Sequence, residues 1–244
     1  MLLLSLLLLL AQSQEQRDAE KAAEKAAAAA VADFERDTKG APDAKKIAAI
    51  ETLAQTQHLK TASRLGAVVG SHDSGAVRQA ALKALGSFSD AKKHAGAVLS
   101  SALPASAGDP GLFNHVCAAI GDLQDPGSAN TLSKFFEDKD ENAARVSIEA
   151  AGKAGQACSI DPLIAVAGRC ERAIKAAQNA AGGVVTDPTG RGFVGTPEVR
   201  ARDRGIVILK ATNEALTAIT KQQISTSDAW AAWWSRNRES FGRK

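Results

Sequence analysis

Three stretches can be laid over one another without an internal gap: SGAVRQAALKALGSFSD (Ser74–Asp90), DPGLFNHVCAAIGDLQD (Asp109–Asp125) and DENAARVSIEAAGKAGQA (Asp140–Ala157). Gly86, Gly121 and Gly152 fall at the same place, each preceded by small or apolar residues. A more diverged stretch, DAKKIAAIETLAQTQ (Asp43–Gln57), puts Ala54 there, so the spacings are 32, 35 and 31 residues. Self-similarity at such a period is the signature of a stacked repeat.

Each repeat divides in the same way. A first helix opens at an Asp or Ser cap (Asp43, Asp73, Asp109, Asp140) and carries apolar residues at three- and four-residue steps. After a short break a second periodic helix follows, over 58–69, 90–103, 127–137 and 161–179. One such pair cannot bury its apolar stripe alone, and stacking neighbouring pairs supplies a continuous core. Composition agrees. Of 244 residues 50 are alanine, the strongest helix former, while aromatic residues make up 4% and tyrosine is missing. With 20 Gly and 3 Cys, collagen-like and disulfide-scaffold classes are excluded. An apolar content of 45% and a net charge of +3 exclude wholesale disorder.

The segments resemble HEAT repeats of the short, bacterial, phycobilisome-lyase-like kind. Val77-Arg78, Ala80-Ala81 and Ala84-Leu85-Gly86 carry the resemblance in one copy, and Ile148 to Gly155 (IEAAGKAG) in another. The Val-Arg pair becomes Leu112-Phe113 in the next copy, and the arginine is displaced to Arg145 in the last. The resemblance implies an all-α, right-handed α-solenoid over 41–181 whose second helices line a concave binding face. It also brings in one enzymatic alternative, a chromophore lyase, for which no tetrapyrrole pocket is marked. Because the family is defined by shape, it implies a scaffold rather than a particular ligand.

The flanks read differently. Residues 1–13 open with a leucine run, Leu2 to Ala11, too short to span a bilayer and of the length of a signal-peptide core. Ala11-Gln12-Ser13 offers small residues for cleavage near Ser13, and an extracytoplasmic mature chain from Gln14 is the expectation. No Lys or Arg precedes the leucines. Residues 14–40 form an Ala/Glu/Lys-rich helical extension ending near Lys39-Gly40. Residues 182–196 read as a glycine-rich insertion, a small β-hairpin turning at Asp187-Pro188-Thr189-Gly190. The GRGFVG inside it lacks the preceding strand and following helix of a dinucleotide loop. Residues 197–244 read as a last helix pair, over 197–222, and a C-terminal capping helix carrying Trp230, Trp233 and Trp234 at i, i+3, i+4 with Phe241 beyond.

No reactive constellation emerges. The four histidines are scattered, the three cysteines show no metal-ligand spacing, and the carboxylates sit at helix starts. Neither catalysis, a cofactor nor a metal site is expected. Cys117 reads as a core residue, and Cys158 and Cys170 are too far apart along a helix to bridge. Eight basic residues on the second helices outnumber the acidic ones there, which makes that face mildly basic. Candidate binding residues are therefore Lys60, Arg64, Lys93, Lys134 and Arg172 on the second helices, Arg191 and Phe193 in the insertion, and Trp230, Trp233 and Trp234. The expected partner is a protein, with an acidic protein or anionic polymer as the charged alternative. Nucleic acid is not expected, because a denser basic stripe and a known module are missing.

Overall fold

The computed structural model describes residues 2–71, 73–181 and 197–241. It is all-α, with no strand among the described residues. The helices are α1 (Leu2–Thr38), α2 (Asp43–Ala54), α3 (Leu59–Val69), α4 (Gly75–Gly86), α5 (Lys92–Ala105), α6 (Pro110–Leu123), α7 (Pro126–Leu132), α8 (Glu141–Ala154), α9 (Ile160–Ala181), α10 (Pro197–Thr220) and α11 (Ser227–Asn237). Turns of 3-10 helix follow α7 (Ser133–Phe135) and precede α9 (Ala157–Ser159). The hairpin expected over 182–196 lies outside the described residues.

Helix starts follow local hydrogen-bonding chemistry. Asp109 accepts from the Leu112 N–H at 3.1 Å, and Asp140 accepts from Asn142 and Ala143 at 2.7 and 3.1 Å, as the sequence predicts. Two expected caps are corrected. Ser74, not Asp73, caps α4 by accepting from Val77, while Asp73 turns aside to Lys46 and to the Ser71 hydroxyl. Asp43 is the first helical residue behind Pro42, where its charge opposes the helix dipole without making a cap bond. His58 caps α3, its Nδ1 accepting from the Lys60 N–H at 3.2 Å while Thr61 returns the bond to the His58 N–H.

The chain divides into two compact units, residues 1–102 and 103–244. In the first, α2 packs on α4, α3 packs on α4, and α1 lies against α2 and α3. Ile50, Leu53, Leu65, Leu82, Leu85 and Phe88 fill its core. In the second, α6 packs on α8 and α8 on α10, while α9 packs on α10 and α11 on α9. Its core is built on Phe113, Ile120, Leu123, Leu132, Phe136, Ile148, Leu163 and Leu216. The helix pair expected over 197–222 is a single helix, α10. Its alanines and β-branched residues continue one helical stripe to Thr220, with Gly205 accommodated where α10 meets Ile174 of α9, and the tryptophan helix follows after 221–226.

Two of the glycines that mark the repeat, Gly121 and Gly152, are points of close helix approach. A Cβ on Gly121 of α6 would lie 3.2 Å from the Ala150 carbonyl oxygen of α8. One on Gly152 of α8 would lie 2.8 Å from the Cα of Ala215 in α10. The breaks after first helices also repeat. Gln124 and Gly155 both take the left-handed conformation, at φ 55° and 69°, and each N–H closes on the fourth residue back.

Within each unit the break loops are joined at one sequence interval. Gln57 Oε1 accepts from the N–H groups of Ser89 and Asp90 at 2.6 and 2.8 Å, 32 and 33 residues on. In the second unit Gln156 donates to the Gln124 carbonyl at 2.8 Å across 32 residues, and Cys158 Sγ lies 3.6 Å from the Pro126 carbonyl across another 32. Arg169 on α9 pairs with Glu137 at the same interval.

Candidate functional site

The basic residues of the second helices are not equally available. Lys60 on α3 pairs with Glu24 of α1 at 3.1 Å, and Arg64 lies 3.4 Å from Glu35. The Arg64 guanidinium also stands 5.3 Å from the centre of the Phe34 ring. Lys60 holds the Glu24 carboxyl below its ordinary range, by hydrogen bond first and by charge second. In the first unit, then, Lys60 and Arg64 come together under α1, and Lys93 is exposed on α5. In the second unit, Lys134 and Arg172 are exposed on a 3-10 turn and on α9. Arg191 and Phe193 lie outside the described residues.

Sequence reasoning missed the acidic side of this contact. Of the described α1 side chains, only Ala27 and Phe34 are buried. The signal was present: Phe34 is the single aromatic residue of the extension, and 14–38 holds seven acidic against four basic residues. Burying one phenylalanine contributes about 2–3 kcal/mol, and exposed ion pairs about 0–1 kcal/mol each. These contacts with α3 add to the packing of α1 on α2.

The tryptophans are corrected as well. Trp230 is fully buried and its Nε1 donates to Asn213 Oδ1 at 3.0 Å, while the buried Trp234 donates to Asp161 Oδ1 at 3.0 Å. Arg238 joins Asp161 and stands 5.5 Å over the Trp234 ring. Ser227 donates its N–H and hydroxyl to the two oxygens of Glu171 at 2.8 and 2.5 Å. These bonds tie α11 inward to α9 and α10, so Trp230 and Trp234 anchor a capping helix rather than present a surface. Trp233 is half-buried, with the Phe241 ring 6.2 Å away edge-on.

Two cavities lie within the units. One of about 300 Å3 in the first unit is lined by Glu35, Lys39, Lys46, Arg64 and Asp73. Lys46 and Asp73 are 2.5 Å apart, and that hydrogen bond holds the Asp73 carboxyl below its usual range. The other, about 290 Å3, is a mostly apolar groove between α9 and α10, lined by Phe136, Val166, Cys170, Ala173, Ala201 and Ile208. Arg204 at its edge donates to the carbonyls of Asp138 and Lys139. Burial raises the Cys170 thiol, and the charges of Arg169 and Arg204 only partly offset it. A raised thiol is a poor nucleophile.

The three cysteines are free thiols of graded access. Cys158 is exposed, and it should react first with a thiol reagent in the native protein. Cys117 is buried and its thiol is pushed up to about 12, so it should react only on unfolding. The same shift fixes a pH dependence. Above pH 9.0, Cys117's ordinary value, the unfolded chain has lost a proton that the folded chain keeps until about 12. The unfolded state then binds fewer protons, and stability should fall as pH rises through that window. Urea titrations of the wild type and of Cys117→Ala across this range measure the difference; parallel curves would contradict it.

Among the described residues, no helix is long and apolar enough to cross a membrane. No family model matches the chain, and no curated protein matches it.

Proposed function

We propose that the chain is a non-catalytic, exported scaffold of HEAT-like helix pairs, stacked as a right-handed α-solenoid, that binds a protein through its second helices. The observation that carries this reading is the constant interval between joined loops. Bonds spanning 32 residues recur from Gln57 to Ser89, from Gln124 to Gln156 and from Glu137 to Arg169. That interval falls within the 31–35 residue spacing of the sequence copies, as expected where each pair is laid on the one before. First helices packed on first helices (α2 on α4, then α6 on α8 on α10) support the same arrangement. A stack of this kind offers a long row of side chains on one helix layer, which suits an extended protein surface better than a small substrate.

An affinity capture with residues 14–244, at low and high salt, tests the reading. Retention of one discrete protein at both salts is expected. Retention only of acidic polymers, lost at high salt, would replace protein binding by polyanion binding. The pairing of Lys60, Arg64 and Arg169 with carboxylates of the same chain favours the first outcome.

A further inference from the structure

The two ends of the chain are held in contrasting ways. α11 is sealed by two buried tryptophans whose ring nitrogens are both bonded, and by a serine bonded twice to one carboxylate. α1 lies against α2 and α3 with Phe34 and Ala27 buried, pairs Glu24 with Lys60 and Glu35 with the half-buried Arg64, and joins α2 through 39–42, where Gly40 takes φ +67°. The contact has a definite pattern. Glu24 and Glu35 are eleven residues apart, about three turns, so both carboxylates share one helix face, and Phe34 lies about a quarter-turn to its side. They meet Lys60 and Arg64, one turn apart on α3. The segment 14–38 has a net charge of −3, from four basic and seven acidic residues. α1 also leaves the neighbouring Leu59 of α3 46% exposed, apolar surface that another helix would cover.

From this we infer that the α3 face is a docking surface for an acidic amphipathic helix of a protein partner, and that α1 occupies it in cis. The inference rests on the scaffold reading and names its partner's chemistry. The partner helix carries a carboxylate, then nine residues, then an aromatic residue and a second carboxylate, the pattern of Glu24, Phe34 and Glu35. Binding displaces α1, because the same two cations and the same ring-stacking guanidinium cannot serve both helices. The apparent affinity of the partner is therefore lowered by the fraction of chains in which α1 is seated.

A fluorescent synthetic peptide of residues 14–39 is the probe, titrated into the full chain. The wild-type chain should bind it weakly. A full chain carrying Glu24→Lys, Phe34→Ala and Glu35→Lys, whose own α1 is released, should bind it about tenfold or more tighter. The second arm keeps Phe34 in place. A chain with Lys60→Glu and Arg64→Glu should reject the native peptide and bind one carrying Glu24→Lys and Glu35→Lys, again about tenfold tighter than the wild-type chain binds that peptide. Gain in either arm supports the inference, and gain in neither overturns it. The experiment needs no natural partner, so it fails separately from the affinity capture. A protein captured without peptide binding sinks only the α3 assignment; peptide binding with no protein captured sinks the scaffold reading.

Discussion

Replacing Trp230 by alanine is expected to remove about 4 kcal/mol from the stability of the second unit. The indole is fully buried, and its loss deletes both the packing and the Nε1 bond to Asn213. For a unit of this size each kcal/mol corresponds to about 2–4 °C, so the midpoint should fall by roughly 8–16 °C. Trp233→Ala, at a half-buried position, should cost about 1 kcal/mol. All three tryptophans of the chain lie in α11, so fluorescence follows this unit alone. Equal losses for Trp230→Ala and Trp233→Ala would mean that the helix does not face inward as described.

Gly152→Val is expected to cost about 3 kcal/mol in the same assay, and Gly152→Ala about 1 kcal/mol after the helix propensity gained by adding a methyl group. The added Cβ would stand 2.8 Å from the Ala215 Cα and 2.9 Å from its Cβ. Backbone cannot rotate out of the way as a side chain can, so α8 and α10 must part. Ala215→Gly should recover part of the loss, which a double-mutant cycle reads directly. Gly75→Ala supplies the control: nothing lies within 4 Å of its new Cβ, and the change should be neutral or slightly stabilising. A harmless Gly152→Val would separate the repeat glycines from helix packing.

These two positions also show what was legible beforehand. The glycine register was legible as the marker of a repeat; that Gly121 and Gly152 meet neighbouring helices emerges only from the packing. The caps at Asp109 and Asp140 were legible for a local reason, an Asp immediately before a periodic stretch. Asp73 was not, because Lys46, 27 residues away, competes for its carboxylate. The single helix α10 was read as two, since polar residues interrupt its apolar stripe although the helix packs on both α8 and α9. The tryptophan triplet was readable as the face of a capping helix, but the groups that its ring nitrogens bond were not. Its partners Asn213 and Asp161 lie 17 and 73 residues away and carry no pattern of their own. The α1–α3 contact was half legible: an Ala/Glu/Lys segment reads as a semi-rigid spacer or as a helix leaning on the first repeat, and Phe34 under Arg64 favours the second.

The account turns on which helix layer meets the partner. A photo-reactive residue placed at Lys93 or Lys134, on the second helices, should cross-link the captured protein, whereas the same residue at Lys83 or Glu149, exposed on α4 and α8, should not. Cross-links from Lys93 or Lys134 alone are the expected result. Cross-links confined to Lys83 and Glu149 would place the partner on the first helices and contradict the proposed binding face.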